Sequence, residues 1–138
     1  MNDFEKSKIE ESLSKCVYII CSVRESTDEV RKKLEDYAKS LEKKGYVVHL
    51  PHRDTDQENT SIGICNQNVQ MICWADEIHI FFDPNSTGSY FDMGAAFAFG
   101  KTIKVIETVA FDYVDEKGNY KKSFPLMLEE WEGKQQDD

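Results

Sequence analysis

Asp92 and the polar residues that precede it are the part of this chain best equipped for chemistry. The stretch Asp83-Pro84-Asn85-Ser86-Thr87-Gly88-Ser89 combines turn-forming residues with hydroxyl groups, and the small-residue run Tyr90-Phe91-Asp92-Met93-Gly94-Ala95-Ala96 follows it directly. A loop that leaves the carboxyl end of a parallel strand and enters a helix presents unpaired backbone N–H groups. With Ser86, Thr87 and Ser89 as further donors, and Gly88 allowing close approach, it suits a phosphate or a sugar. Asp92 falls in the first turn of the expected helix, which sets a carboxylate beside that crevice. Two more polar clusters follow apolar runs in the same way: Ser22 and Arg24, and His52, Arg53 and Asp54. Donors, a cation and carboxylates gathered along one edge of a sheet can hold a nucleoside or nucleotide, with hydroxyls and amides near a phosphate and a carboxylate near the sugar.

That gathering requires a particular order of elements. Cys16-Val17-Tyr18-Ile19-Ile20-Cys21 is a continuous apolar run, as expected of a parallel strand covered on both faces. Val30, Leu34, Tyr37, Ala38 and Leu41 recur at helical spacing, and Gly45 behind Lys43 and Lys44 is a helix stop. Tyr46 to Leu50 reads as a second strand ended by Pro51, and the polar segment from His52 to Thr60 has the composition of an active-site loop. Ser61 to Trp74 is compatible with a helix, Glu77 to Phe82 with a third strand and Ile103 to Ile106 with a fourth. Residues 111 to 120 read as a hairpin or a fifth strand, Phe124 to Trp131 as a helix, and residues 132–138 as a flexible tail. The expected fold class is α/β: one domain built on an open, doubly wound parallel sheet of four to five strands with helices on both faces, Rossmann or flavodoxin-like. Residues 1–15 read as a leading helix or arm.

Composition narrows the partners. At 138 residues and 40% hydrophobic, the chain is long enough for one core without metals or disulfides. The formal charge of −9 opposes binding to polymeric nucleic acid. No apolar run is long enough to cross a bilayer and no basic region with an apolar segment opens the chain, so a cytoplasmic protein with no membrane partner is expected. The four cysteines, Cys16, Cys21, Cys65 and Cys73, lack metal-ligand spacing and read as reduced core residues. Neither a metal nor a cofactor is expected.

Ile20-Cys21-Ser22-Val23-Arg24, the helix end Trp74-Ala75-Asp76, and above all Ser86-Thr87-Gly88-Ser89-Tyr90-Phe91-Asp92-Met93-Gly94 with Ala98-Phe99-Gly100-Lys101 carry a resemblance. On these residues the chain resembles the nucleoside 2-deoxyribosyltransferase family and the related nucleoside 5′-monophosphate N-glycosidases. The resemblance implies that Asp92 stands where those enzymes carry a catalytic carboxylate, typically Glu, that faces the anomeric carbon. It places Asn68 where they carry a second acid, typically Asp. Ser22 and Ser86 match phosphate-contacting serines of the monophosphate glycosidases, which tilts the implied ligand toward a nucleotide. Such enzymes commonly pair so that one subunit completes the neighbour's pocket, which implies a homodimer. Two differences have chemical weight. Asp is one methylene shorter than Glu, and an amide hydrogen-bonds a ribose hydroxyl or a base without transferring a proton. Acid help for a departing base would then fall to His52 or Asp54.

Plainer duties compete for the same residues. A first-turn Asp is favoured by the helix dipole by about 0.3–1 kcal/mol with no catalytic role. Asn68 on its own reads as a capping or solvent-facing amide, Ser22 and Arg24 as companions of Ser26 and Thr27 in capping the first helix, and His49 and His79 as fillers of sheet faces. Two functions follow from different weights on these readings. One is an enzyme of the N-glycosidic bond, a (deoxy)ribosyltransferase or N-glycosidase, with Asp92 and Asn68 as catalytic residues and Ser22, Arg24, His52, Asp54, Ser86, Gly88 and Ser89 binding substrate. The other is a non-catalytic module that binds or senses a nucleotide in the same crevice.

Overall fold

A computed structural model describes residues 2–5, 14–24, 26–111 and 114–136. The apolar runs form the strands β1 (Cys16–Ile20), β2 (Val47–His49), β3 (Glu77–Phe81) and β4 (Thr102–Glu107). They make one parallel sheet in the order β2-β1-β3-β4. Pairing of Tyr18 with Ile78 and of Ile78 with Ile103 sets these three side chains on one face, while Val17, Ile19 and Phe81 alternate to the other, so each face carries an apolar cluster. Between the strands run α1 (Asp28–Lys43), the single-turn α2 (Pro51–Asp54), α3 (Ser61–Trp74) and α4 (Thr87–Ala98), and α5 (Phe124–Gln136) closes the chain.

Helices cover both faces, as the pattern predicts. On one face Leu34, Ala38 and Leu41 of α1 pack with Val17, Ile19, Val48 and Phe81; on the other Ile72, Met93, Ala96 and Leu128 of α3, α4 and α5 pack with Tyr18, Ile20, Ile78, Ile80 and Ile103. Thr27 caps α1 by accepting from the Val30 N–H, and Gly45 ends it in a left-handed conformation, φ 94°, that frees its N–H to reach the Glu42 carbonyl. The capping duty considered for Ser22 and Arg24 thus falls to Thr27.

Among the described residues the sheet takes the lower of the expected four to five strands, and of the hairpin or fifth strand expected over residues 111 to 120 an isolated antiparallel bridge between Val114 and Tyr120 around a turn forms, with residues 112 and 113 outside the description. Two other expectations differ from what forms. The place beside β4 is taken by α5 instead. The Gln135 amide accepts from the Ile103 N–H and donates to the Ile103 carbonyl, mimicking a neighbouring strand, and the Glu132 carboxylate accepts from the Val105 N–H. The expected tail from residue 132 is therefore helical through Gln136, because these side chains satisfy an open sheet edge. The segment from His52 begins as α2 rather than as a loop, since Pro51 occupies a first helical position that suits its fixed φ. Most of the expected leading helix or arm lies outside the described residues. Among the described residues, no helix is long and apolar enough to cross a membrane.

Candidate active site

The chain leaves β1 toward β2 on one side and leaves β3 toward β4 on the other, so the crevice at their carboxyl ends is the switch point of the sheet, where open α/β folds bind ligands. A cavity of about 470 Å³ lies there, of a size that fits a nucleoside or nucleotide. Its walls come from three stretches of chain: Cys21, Ser22 and Arg24 after β1, Gln57 ahead of α3 with Ser61, Cys65 and Asn68 of α3 itself, and Ser86, Gly88, Phe91 and Asp92 around the start of α4.

The loop into α4 is held before any ligand arrives. Asp83 accepts from the Asn85 N–H at 2.9 Å, its carbonyl accepts from Ser86 N–H, and Tyr90 donates to the Pro84 carbonyl. Ser86 is the N-cap of α4 and accepts from both the N–H (3.2 Å) and the hydroxyl (2.9 Å) of Ser89. With both lone pairs occupied, the Ser86 hydroxyl proton is left to donate into the cavity. Ser89, 1% exposed, stands behind Ser86 and orients it rather than lining the cavity. A Cβ added at Gly88 would meet no atom within 4 Å, so its bareness serves the space in the cavity rather than the packing of the loop.

Asp92 is 6% exposed and lies at the cavity floor. Its Oδ2 accepts from the Tyr18 hydroxyl at 2.8 Å, and among the described residues Oδ1 has no hydrogen-bond partner. Burial pushes the Asp92 carboxyl up to about 6, against the smaller downward effect of that hydrogen bond. The same burial, with Asp92 close by, raises Tyr18 well above the ordinary phenol range and Cys21 up to about 12, so both stay protonated.

A second polar chain enters from β2. Tyr18 stacks flat on His49, with ring centroids 5.3 Å apart and 9° between planes. His49 Nε2 lies 2.8 Å from Thr55 Oγ1, and Thr55 donates to Asn68 Oδ1 at 2.7 Å. Burial lowers the His49 pKa, so the imidazole is neutral at pH 7.

The structure thus brings Asp92, Asn68, Ser22, Arg24, Ser86 and Gly88 to one cavity. His52 and Asp54 are not part of its wall. His52 Nε2 faces Glu35 at 3.2 Å, while Asp54 accepts from the Leu50 N–H and pairs with Arg53, both contacts made possible by the helical turn at Pro51. Sequence reasoning passed over Tyr18, read as one apolar residue among others, and Thr55, read as loop. The available signal for Tyr18 was that a buried tyrosine hydroxyl requires a partner. Among the described residues no group of three or more His, Cys, Asp or Glu side chains could hold a metal ion.

No family model and no curated protein matches the chain. Solved structures do. It is similar to a CMP N-glycosidase from Clostridium botulinum, with 24% identity, TM-score 0.53, and 64% of this chain matched to 68% of that one. It is similar to a 2-deoxyribosyltransferase from Leishmania mexicana, with 23% identity, TM-score 0.59, and 80% of this chain matched to 79% of that one. A 2-deoxyribosyltransferase from Bacillus psychrosaccharolyticus matches at 15% identity and TM-score 0.54 over 81% of this chain and 89% of that one. The four-stranded parallel sheet and its flanking helices are thus the fold of 2-deoxyribosyltransferases and of a CMP N-glycosidase, the enzymes to which the loop and helix around Asp92 bear their resemblance.

Proposed function

We propose that the chain breaks the N-glycosidic bond of a nucleoside or nucleoside monophosphate, with Asp92 as the carboxylate that faces the sugar. The observation that carries this reading is the Asp92 carboxyl itself: buried at the floor of a nucleoside-sized cavity, held by Tyr18 through one oxygen, and poised near pH 6. Perturbed acids in clefts are what such chemistry requires. In the reaction the bond between C1′ and the base nitrogen breaks and its electron pair leaves with the base. Asp92 Oδ1 bonds to C1′ or stabilises its positive charge, and water or a second base then takes the sugar. Exclusion of water until a second base arrives separates transfer from hydrolysis. Ser22, Ser86 and the N–H groups at the start of α4, with Arg24 at the rim, suit a 5′-phosphate.

Free base released from nucleosides and nucleoside monophosphates, followed by chromatography, tests the reading. Asp92→Ala is expected to lower the rate by about a thousandfold or more, as loss of a reacting group does; an unchanged rate refutes Asp92 as the reacting carboxylate.

One observation favours a second reading. The cavity pairs a short Asp with an amide at position 68, which suits a module that binds a nucleotide without cleaving it. That module raises its melting temperature with a nucleotide, releases no base, and loses binding in Gly88→Leu; retained affinity in that variant argues against it. A second copy of the chain is a fitting partner for either function, because Phe91, 49% exposed, lines the cavity, and Phe97 and Phe124 are exposed nearby on α4 and α5. Sedimentation velocity distinguishes the pair from a monomer.

A further inference from the structure

Asn68 in the cavity wall is an amide, and its two ends do different chemistry. An amide that turns its carbonyl inward reads donors on a base, and one that turns its NH2 inward reads acceptors. What decides between them at Asn68 lies outside the cavity, in Thr55 and His49.

A threonine hydroxyl has a single proton to give. Thr55 Oγ1 is 2.7 Å from Asn68 Oδ1 and 2.8 Å from His49 Nε2. Donation to the Asn68 carbonyl uses that proton, so toward His49 the hydroxyl accepts, and Nε2 must carry the imidazole proton. His49 suits this assignment because it is 4% exposed, is neutral, and so has one ring proton to place. Stacking on Tyr18 fixes the plane of the ring, and Thr55 is 5% exposed, so bulk water does not compete for the hydroxyl. The polarity of the whole chain runs from His49 Nε2–H to Thr55 O–H to the Asn68 carbonyl.

We propose that Thr55 and His49 are positioning residues that lock the Asn68 amide with its NH2 group toward the cavity, and that the base bound there presents a ring-nitrogen acceptor to it, N7 of a purine or N3 of a cytosine. The proposal rests on the reading of this cavity as a nucleoside or nucleotide site. In the bond-breaking step the electron pair of the C1′–N bond moves onto the base, and the Asn68 N–H groups stabilise that charge by hydrogen bonding without giving up a proton. The base takes its proton from water after it has left. The amide therefore acts as a selector of bases, and its selectivity is governed by residues that never touch the ligand.

Two measurements test this. Nitrogen-15 NMR of histidine-labelled wild-type protein is expected to show His49 protonated on Nε2 and bare on Nδ1; protonation on Nδ1 instead reverses the chain and overturns the proposal. Binding is then compared for matched probes: purine ribonucleoside 5′-monophosphates against their 7-deaza forms, and cytidine 5′-monophosphate against its 3-deaza form. One of these pairs is expected to differ by about five- to tenfold in Kd, the size of one neutral hydrogen bond. That difference is expected to disappear in Thr55→Val and to persist in Thr55→Ser, which keeps the hydroxyl. A preference unchanged in Thr55→Val, or no preference in any pair with wild-type protein, overturns the proposal. Base release is measured on the same samples. Its absence beside an intact, Thr55-dependent preference overturns the proposed reaction and supports the amide assignment.

Discussion

Two carboxylates in this molecule are buried to nearly the same degree and behave in opposite ways. Asp92 is 6% exposed and Glu77 8%. Asp92 sits beyond the carboxyl ends of the strands and is held by one neutral hydroxyl, that of Tyr18, so burial prevails and its pKa rises to about 6. Glu77 opens β3 at the other end of the sheet. Burial pushes it up as well, but the hydrogen bonds from His79 (2.8 Å) and Lys15 (2.9 Å), with Lys104 at 3.5 Å, outweigh that effect and hold it at about 2. His79 is in turn fixed by the Tyr37 hydroxyl 2.5 Å from its Nδ1. Burial alone therefore says little about what an acid is for. The number of cations around it separates an acid that stabilises the fold from one kept available for reaction.

Neutralising each acid breaks the comparison most sharply. A raised pKa means that the folded state binds the proton more tightly than the unfolded chain, so ionised Asp92 destabilises the fold. The loss develops as pH rises from about 3.8 through about 6 and reaches about 3 kcal/mol. Asp92→Asn is expected to abolish base release and yet to raise stability at pH 7 by up to that amount, an exchange common at reactive sites. Glu77 has the opposite sign. Its depressed pKa contributes stability that is present above about 4.5 and lost as pH falls toward 2, so Glu77→Gln is expected to lower stability at pH 7 by about 3 kcal/mol. Urea unfolding at pH 7 and pH 3 reads both, and the gain from Asp92→Asn should vanish at pH 3. Two variants that shift stability in the same direction would show that burial, and not the surrounding charges, sets the behaviour of these acids.

Tyr18→Phe acts on the Asp92 side with a smaller effect. In the proposed reaction Asp92 works as the carboxylate, so base release is expected to rise with pH through about 6 and level off above it. Removal of the Tyr18 hydroxyl takes away the one bond that favours the ionised form, so the rising limb moves to higher pH. The rate at pH 7 is expected to fall by about tenfold, in line with one charge-assisted hydrogen bond. A pH profile that keeps its wild-type midpoint would show that the hydroxyl only fills space.

The order of strands and helices was legible because the strands of a parallel sheet are buried on both faces and so read as unbroken apolar runs, as at Cys16 to Cys21 and Glu77 to Phe82. The grouping of Ser22, Ser86, Gly88 and Asp92 followed from the same order, since each comes just after a strand. Links across long stretches of chain were not legible. Nothing local in Tyr18 points to Asp92, 74 residues on, and nothing in Thr55 points to Asn68 and His49. His52 and Asp54 were placed at the crevice because they follow a strand. Pro51 was read as a stop, whereas it also begins a helical turn that commits both side chains to Glu35, Leu50 and Arg53. The edge of the sheet was missed for a related reason: Glu132 and Gln135 belong to a polar stretch whose partners, the N–H groups of β4, are identifiable only once α5 has docked.

The smallest test concerns which of the groups around Glu77 matter. Lys104 is 3.5 Å from Glu77 Oε1, but its side chain is 60% exposed, whereas that of His79 is 4% exposed and contacts the same oxygen at 2.8 Å. An exposed lysine is well solvated whether or not it has a partner, and it loses side-chain freedom when it is held, so such pairs contribute about 0–1 kcal/mol. Lys104→Met is therefore expected to change stability by less than about 0.5 kcal/mol in low salt, and by still less in 1 M salt, where screening weakens exposed pairs. His79→Leu removes a donor from a buried carboxylate and is expected to lower stability by about 1–3 kcal/mol. If Lys104→Met proves as damaging as His79→Leu, then Glu77 is held by distributed charge, and the difference between the two acids lies in the field of the surrounding surface. If the ordering holds, the difference lies in the first hydrogen bonds each carboxylate accepts: two from cationic or imidazole donors at Glu77, and one from a phenol at Asp92.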